Sequence, residues 1–264
     1  MSRKFVVFAS LAVASILISS TPRRMQGQDS KDTYPTMAPL EQYLMDRDAE
    51  IALVRSAGPA SISREAKIIV FGRHGYETAV EGKSGFVCMA DRGWMLPFDK
   101  PDFWNPKVRL PLCMNSSGAR FHLPLAFKTT EWALAGMTKD QMSARLKSAY
   151  DRKELPLPQN GSMCYMMSKQ QYFGDKAGNG GDSHLMFWFP QAERMDWGAY
   201  ADDSPVNVHE YSPQPITEFS ISISKWSDGT RVAVSQAPAS SPKKESAFNG
   251  TWRARNQSLQ YHGS

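Results

Sequence analysis

Three cysteines are all that the 264 residues contain, and motifs that carry chemistry are as scarce. There is no Gly-x-Ser-x-Gly, so the strained nucleophile turn of a serine hydrolase is missing. His74, His122, His184, His209 and His262 make no His-x-His or His-x₃-His pair, which removes the usual zinc-ligand spacing. Gly178 to Gly181 lacks the Lys-Ser/Thr of a phosphate loop, and no dinucleotide fingerprint occurs. No metal and no other cofactor is therefore expected. No cluster of Lys and Arg interleaves with aromatics, so the footprint of a nucleic-acid partner is absent. No internal repeats are visible.

The N-terminus carries an address. Met1 to Lys4 is a short basic start. Phe5 to Ile18 then runs apolar or small without a charge, the length of a signal-peptide core and short for a bilayer span. The pattern predicts a secretory signal peptide over 1–28, with an N-terminal membrane anchor as the alternative. Residues 29–36 read as a disordered linker. After signal removal no stable membrane span is expected, and the protein would be periplasmic or extracellular. The 31 Lys+Arg and 26 Asp+Glu give a net charge of +5. Arg3, Lys4, Arg23 and Arg24 leave with the signal and no acid does, so the remainder carries +1. The basic balance belongs to export and does not argue for nucleic acid.

An exported chain can oxidise its cysteines. Cys88, Cys113 and Cys164 allow three pairings, each leaving one over. Cys88 ends a strand-like run and Cys113 sits in a Pro-rich segment, which favours Cys88–Cys113 and leaves Cys164 a buried thiol. Three free thiols are the alternative.

Hydrophobic periodicity predicts a helix over 40–57, which Asp46-Arg47-Asp48 can divide. Strand patterns follow at 67–71, 76–80 and 85–89. Residues 91–124 hold five prolines and five large aromatics with no period, and read as a long loop packed onto the body. A helix over 126–135 stops at Gly136. Thr138-Lys139-Asp140-Gln141 is a capping box between Met137 and Met142, opening a helix with Met142, Leu146, Ala149 and Tyr150 on its buried stripe. Strands follow at 163–168, 184–189 and 217–225, with a return strand at 231–235 after the Asp228-Gly229 turn. In the third of these, Phe219, Ile221 and Ile223 are expected to face inward, and Glu218, Ser220 and Ser222 toward water or a polar groove. Residues 237–264 read as a disordered Pro/Ser/Lys-rich tail, leaving a single domain over 37–236. The sum predicts an α+β fold, a mainly antiparallel sheet of five to seven strands with about three helices packed on it. A two-sheet sandwich is the alternative.

The candidate site residues are Arg73, His74, Asp182, His184 and Trp188. Arg73 and His74 sit between Gly72 and Gly75 on a turn whose exposed N–H groups can hold an anion, or which is a plain strand connection. Asp182, His184, Met186 and Trp188 share one face of a strand. His184 can titrate near neutral pH there, or bond a loop carbonyl as an end cap. Met163, Met166, Met167 and Met186 with Trp188 can line an apolar ligand pocket or form plain core. Cys164 with His184 would make a thiol–base dyad, but the apolar run around Cys164 favours an inert thiol.

The segments Met37 to Met45, Gly75 to Ala79, Gly85 to Cys88, Met163 to Lys169, His184 to Phe187 and Trp226 to Thr230 resemble a family of uncharacterised exported bacterial proteins. The resemblance spans roughly residues 37 to 231. It implies secretion and a single domain, and carries no catalytic residues. The expected function is non-catalytic binding of a small molecule or an exported protein partner, at a site built from loop 91–124, loop 169–183 and the Arg73-His74 turn. The alternative is a hydrolytic or metal-assisted enzyme using His184, Asp182 and His74.

Overall fold

The computed structural model describes residues 34–175, 181–192, 194–199, 201 and 203–233. The expected signal peptide and 237–264 tail lie outside them, as do residues 29–33 of the linker. Eight strands form one sheet: β1 Lys67–Gly72, β2 Gly75–Val80, β3 Val87–Asp91, β4 Leu110–Met114, β5 Met163–Met166, β6 His184–Pro190, β7 Val206–Glu210 and β8 Ile216–Ser222. Their order is β2-β1-β3-β4-β5-β6-β8-β7. The β1–β3 pair is parallel and the other pairs are antiparallel. The expected α+β class with a mainly antiparallel sheet is what forms. The count of five to seven strands falls short, and the described strands do not split into a sandwich.

Four helices accompany the sheet: α1 Arg47–Arg55, α2 Ala60–Ser63, α3 Ser116–Leu134 and α4 Lys139–Asp151. The predicted helix over 40–57 divides where Asp46 caps α1, its carboxylate accepting from the Asp48 and Ala49 N–H groups. One sheet face, through Ile68, Val70, Cys88, Ala90 and Cys113, packs against Leu53, Val54 and Ala57 of the α1 segment. The other face, through Phe71, Met89, Leu112 and Met166, packs under α3 and α4. Period-two alternation in β1 and β3 sends alternate apolar side chains to these two layers.

Loop 91–124 is the largest correction. Its middle is strand β4 and its end is the first half of α3. Pro111 pairs with Ala90, but β5 reaches only Cys113 and Met114, so the proline lies outside the stretch flanked on both sides. α3 begins behind the Asn115 cap, whose side chain accepts from the Gly118 N–H, and runs through Pro124. Its buried Ala119, His122, Ala126, Thr129 and Ala133 repeat at three- and four-residue spacing, a stripe facing the sheet. The rest of the segment is packed as expected: Trp94, Phe103 and Trp104 are buried, and the Trp94 indole donates to Thr130 Oγ1 at 2.9 Å.

The capping box of α4 forms as read. The return strand at 231–235 reduces, in the residues described, to a Lys225–Arg231 bridge. β7 has no counterpart in the sequence reading; its five residues alternate between Val206 and Val208 on one face and Asn207 and His209 on the other.

Candidate functional site

β3 ends at Asp91, whose side chain points to the α3 side of the sheet and is buried. His122 occupies a core position in the α3 stripe directly above it. The His122 Nε2 lies 2.9 and 3.1 Å from the two carboxylate oxygens of Asp91. The imidazole also stacks on the Trp188 indole, with ring centroids 5.5 Å apart and planes 15° from parallel.

Trp188 on β6 stands opposite Glu218 on β8 in the antiparallel register. The indole Nε1–H donates to Glu218 Oε2 at 2.9 Å, and the Tyr211 hydroxyl donates to Oε1 at 2.9 Å. Asp91, His122, Trp188, Glu218 and Tyr211 thus form one continuous chain of contacts. Glu218 is only 5 % exposed. The expectation that it faces water is overturned. β8 is covered on its reverse face too, where Trp197 stacks on Phe219 at 4.4 Å.

The chain of contacts walls a cavity of about 100 Å³. Met95, Leu112, Leu125, Met166, Met186 and Phe173 supply its apolar lining. The idea of a Met/Trp pocket therefore fits at Met166, Met186 and Trp188, while Met163 and Met167 do not line the space. Burial, and then the negative charge of Glu218, push the Tyr211 hydroxyl well above its ordinary range, so it stays a donor. Burial pushes the Cys164 thiol up as well. An inert Cys164 is the outcome that the apolar run favoured.

Of the residues picked from sequence, Trp188 lies in this wall. Asp182 and His184 adjoin one another at the start of β6, but neither lines the cavity. His184 Nδ1 is 2.6 Å from the Asp182 carbonyl oxygen, the end-cap arrangement in which the ring N–H donates to the loop backbone. Arg73 is exposed and pairs with the exposed Glu41 at 3.0 Å, and His74 is exposed on the β1–β2 turn. Between β1 and β6 stand β3, β4 and β5. Four inter-strand spacings place those strands about 19 Å apart, so His74 does not converge with His184 and Asp182. In loop 169–183, residues 176–180 lie outside those described.

Asp91, His122, Glu218 and Tyr211 were not singled out as site residues from the sequence, although Asp91 and His122 lie in the 91–124 segment expected to help build the site. His122 was hidden by assigning 91–124 to a loop, although its place in the 119/122/126/129/133 stripe is visible once a helix is allowed. Asp91 closes an apolar strand run, and Glu218 stands between Thr217 and Phe219 on a strand buried on both faces. A charge in either position is the available signal.

Among the described residues no group of three or more His, Cys, Asp or Glu side chains is arranged to hold a metal ion. No helix among them is long and apolar enough to cross a membrane. No family model, no curated protein and no solved structure matches the chain.

Proposed function

We propose that this protein is an exported domain that binds a small molecule without transforming it, in the cavity between α3, β6 and β8. The observation that carries the reading is the cavity itself: a largely apolar lining with a few convergent polar groups, the usual make-up of a ligand site. Thioethers from Met95, Met166 and Met186 give that lining an adaptable shape. Non-catalytic binding is favoured by what the wall offers. Among the described residues its lining has no Ser, Thr or Cys to act as nucleophile. The Tyr211 hydroxyl is engaged with Glu218 and holds its proton strongly. Export is supported by the basic-then-apolar N-terminus and by Cys88 and Cys113, which face each other at disulfide distance.

Thermal-shift screening of a fragment library against the wild type and Leu125→Phe tests the reading. The added ring occupies the cavity from α3. Fragments that raise the wild-type melting temperature are expected to lose their effect on the variant, its fold verified by circular dichroism. Equal shifts in both proteins would place binding elsewhere.

A further inference from the structure

The charges on the cavity wall do not balance. Asp91 has His122 beside it as a partner that can be cationic. Glu218, only 5 % exposed, receives two neutral donors, the Trp188 indole and the Tyr211 hydroxyl. Among the described residues no Lys or Arg lines the space. His209 stands across from Glu218 in the β7–β8 register, yet it is exposed and its Nε2 is 3.5 Å from Ser220 Oγ. Cys164, buried on β5, keeps its proton and offers no positive charge. Arg92, the next residue to Asp91, is committed to Glu50 on α1. A buried carboxylate is costly without a positive partner, and neutral hydrogen bonds offset only part of that cost.

We infer that the ligand is a small organic cation of the alkylammonium class, with Glu218 as its counter-ion. This rests on the small-molecule reading of the same cavity. The ammonium group completes the Glu218 carboxylate, and the alkyl part lies among Met166, Met186 and Leu112. Phe173 and Tyr211 bring aromatic rings to the same wall. At about 100 Å³ the space is smaller than a cavity that admits benzene, so the part of the guest held within it has only a handful of heavy atoms.

The test is ligand-observed NMR titration of the full chain with propylammonium, 1-propanol and propionate, three probes of nearly equal size and different charge. Propylammonium is expected to bind the wild type about tenfold more tightly than 1-propanol, with propionate weakest. Glu218→Gln is expected to remove that tenfold advantage. Equal binding of propylammonium and 1-propanol, unaltered by Glu218→Gln, would overturn the cation assignment and leave the cavity a neutral small-molecule site. No binding of any probe to the wild type would overturn both readings. If Glu218→Gln does not fold, the three-probe series on the wild type still decides the charge preference.

Discussion

Glu50 and Arg92 are the two most deeply buried charges among the described residues, at 1 % and 0 % exposure, and lie 2.8 Å apart. Arg92 spends its remaining donors on the carbonyls of Ala90 and Tyr43, and its guanidinium lies over the Phe71 ring. Glu50 also accepts the Phe71 N–H at 3.0 Å. Each partner is therefore satisfied only while the other is present. Glu50→Ala is expected to cost roughly 3–5 kcal/mol in urea unfolding, because it strands a buried guanidinium. A double change to Leu and Met at positions 50 and 92 should recover much of that loss, and a single-variant loss below about 1 kcal/mol would show the pair to be incidental. Neither residue was visible in the sequence. A lone charge beside a helix or turn reads as solvated, and only a partner 42 positions away makes it a core residue. Trp188 was legible because alternation with Met186 is a local signal. His122 was not, because its partner Asp91 lies 31 residues back.

Elements were legible where local chemistry sets their ends, and obscured where tertiary packing overrules it. α4 is fixed by the Thr138/Gln141 capping box, a reciprocal pair of bonds within four residues. α3 was cut short because Pro124 costs a helix interior about 3 kcal/mol, a penalty outweighed by the stripe it buries on the sheet. The start of α3 also carries a constraint that propensity does not show. A Cβ on Gly118 would lie 2.7 Å from the Met163 carbonyl oxygen and 3.1 Å from Trp188 Cζ3. Gly118→Ala is thus expected to destabilise by about 1–3 kcal/mol, although alanine favours a helix over glycine by about 1 kcal/mol. The displaced helix end must also disturb the His122–Trp188 stack, which near-ultraviolet circular dichroism reads. A neutral or stabilising result with an unchanged spectrum would mean that α3 does not seat on β5 so closely.

At the scale of the molecule, the α+β class followed from strands at both ends of the chain with helices between them, and eight strands appear because β4 and β7 were concealed among proline-rich or acidic neighbours. The sheet also decides the cysteine chemistry. Cys88 and Cys113 stand directly opposite on β3 and β4, with Cα atoms 4.0 Å apart, and both are fully buried beneath α1. Cys164 projects from the opposite face, buried, its thiol held protonated by its surroundings. Alkylation with iodoacetamide followed by mass spectrometry separates these states. The native protein should take up no label. Unfolded without reductant it should gain a single adduct, at Cys164, and unfolded with reductant an adduct at every cysteine. Cross-linking residues 25 apart removes loop entropy from the unfolded chain, so Cys88→Ala/Cys113→Ala should lose about 3 kcal/mol of stability. Three adducts without reductant would mean that the pair is reduced. The apposition of β3 and β4 would then be ordinary sheet packing, and export would rest on the N-terminal residues alone.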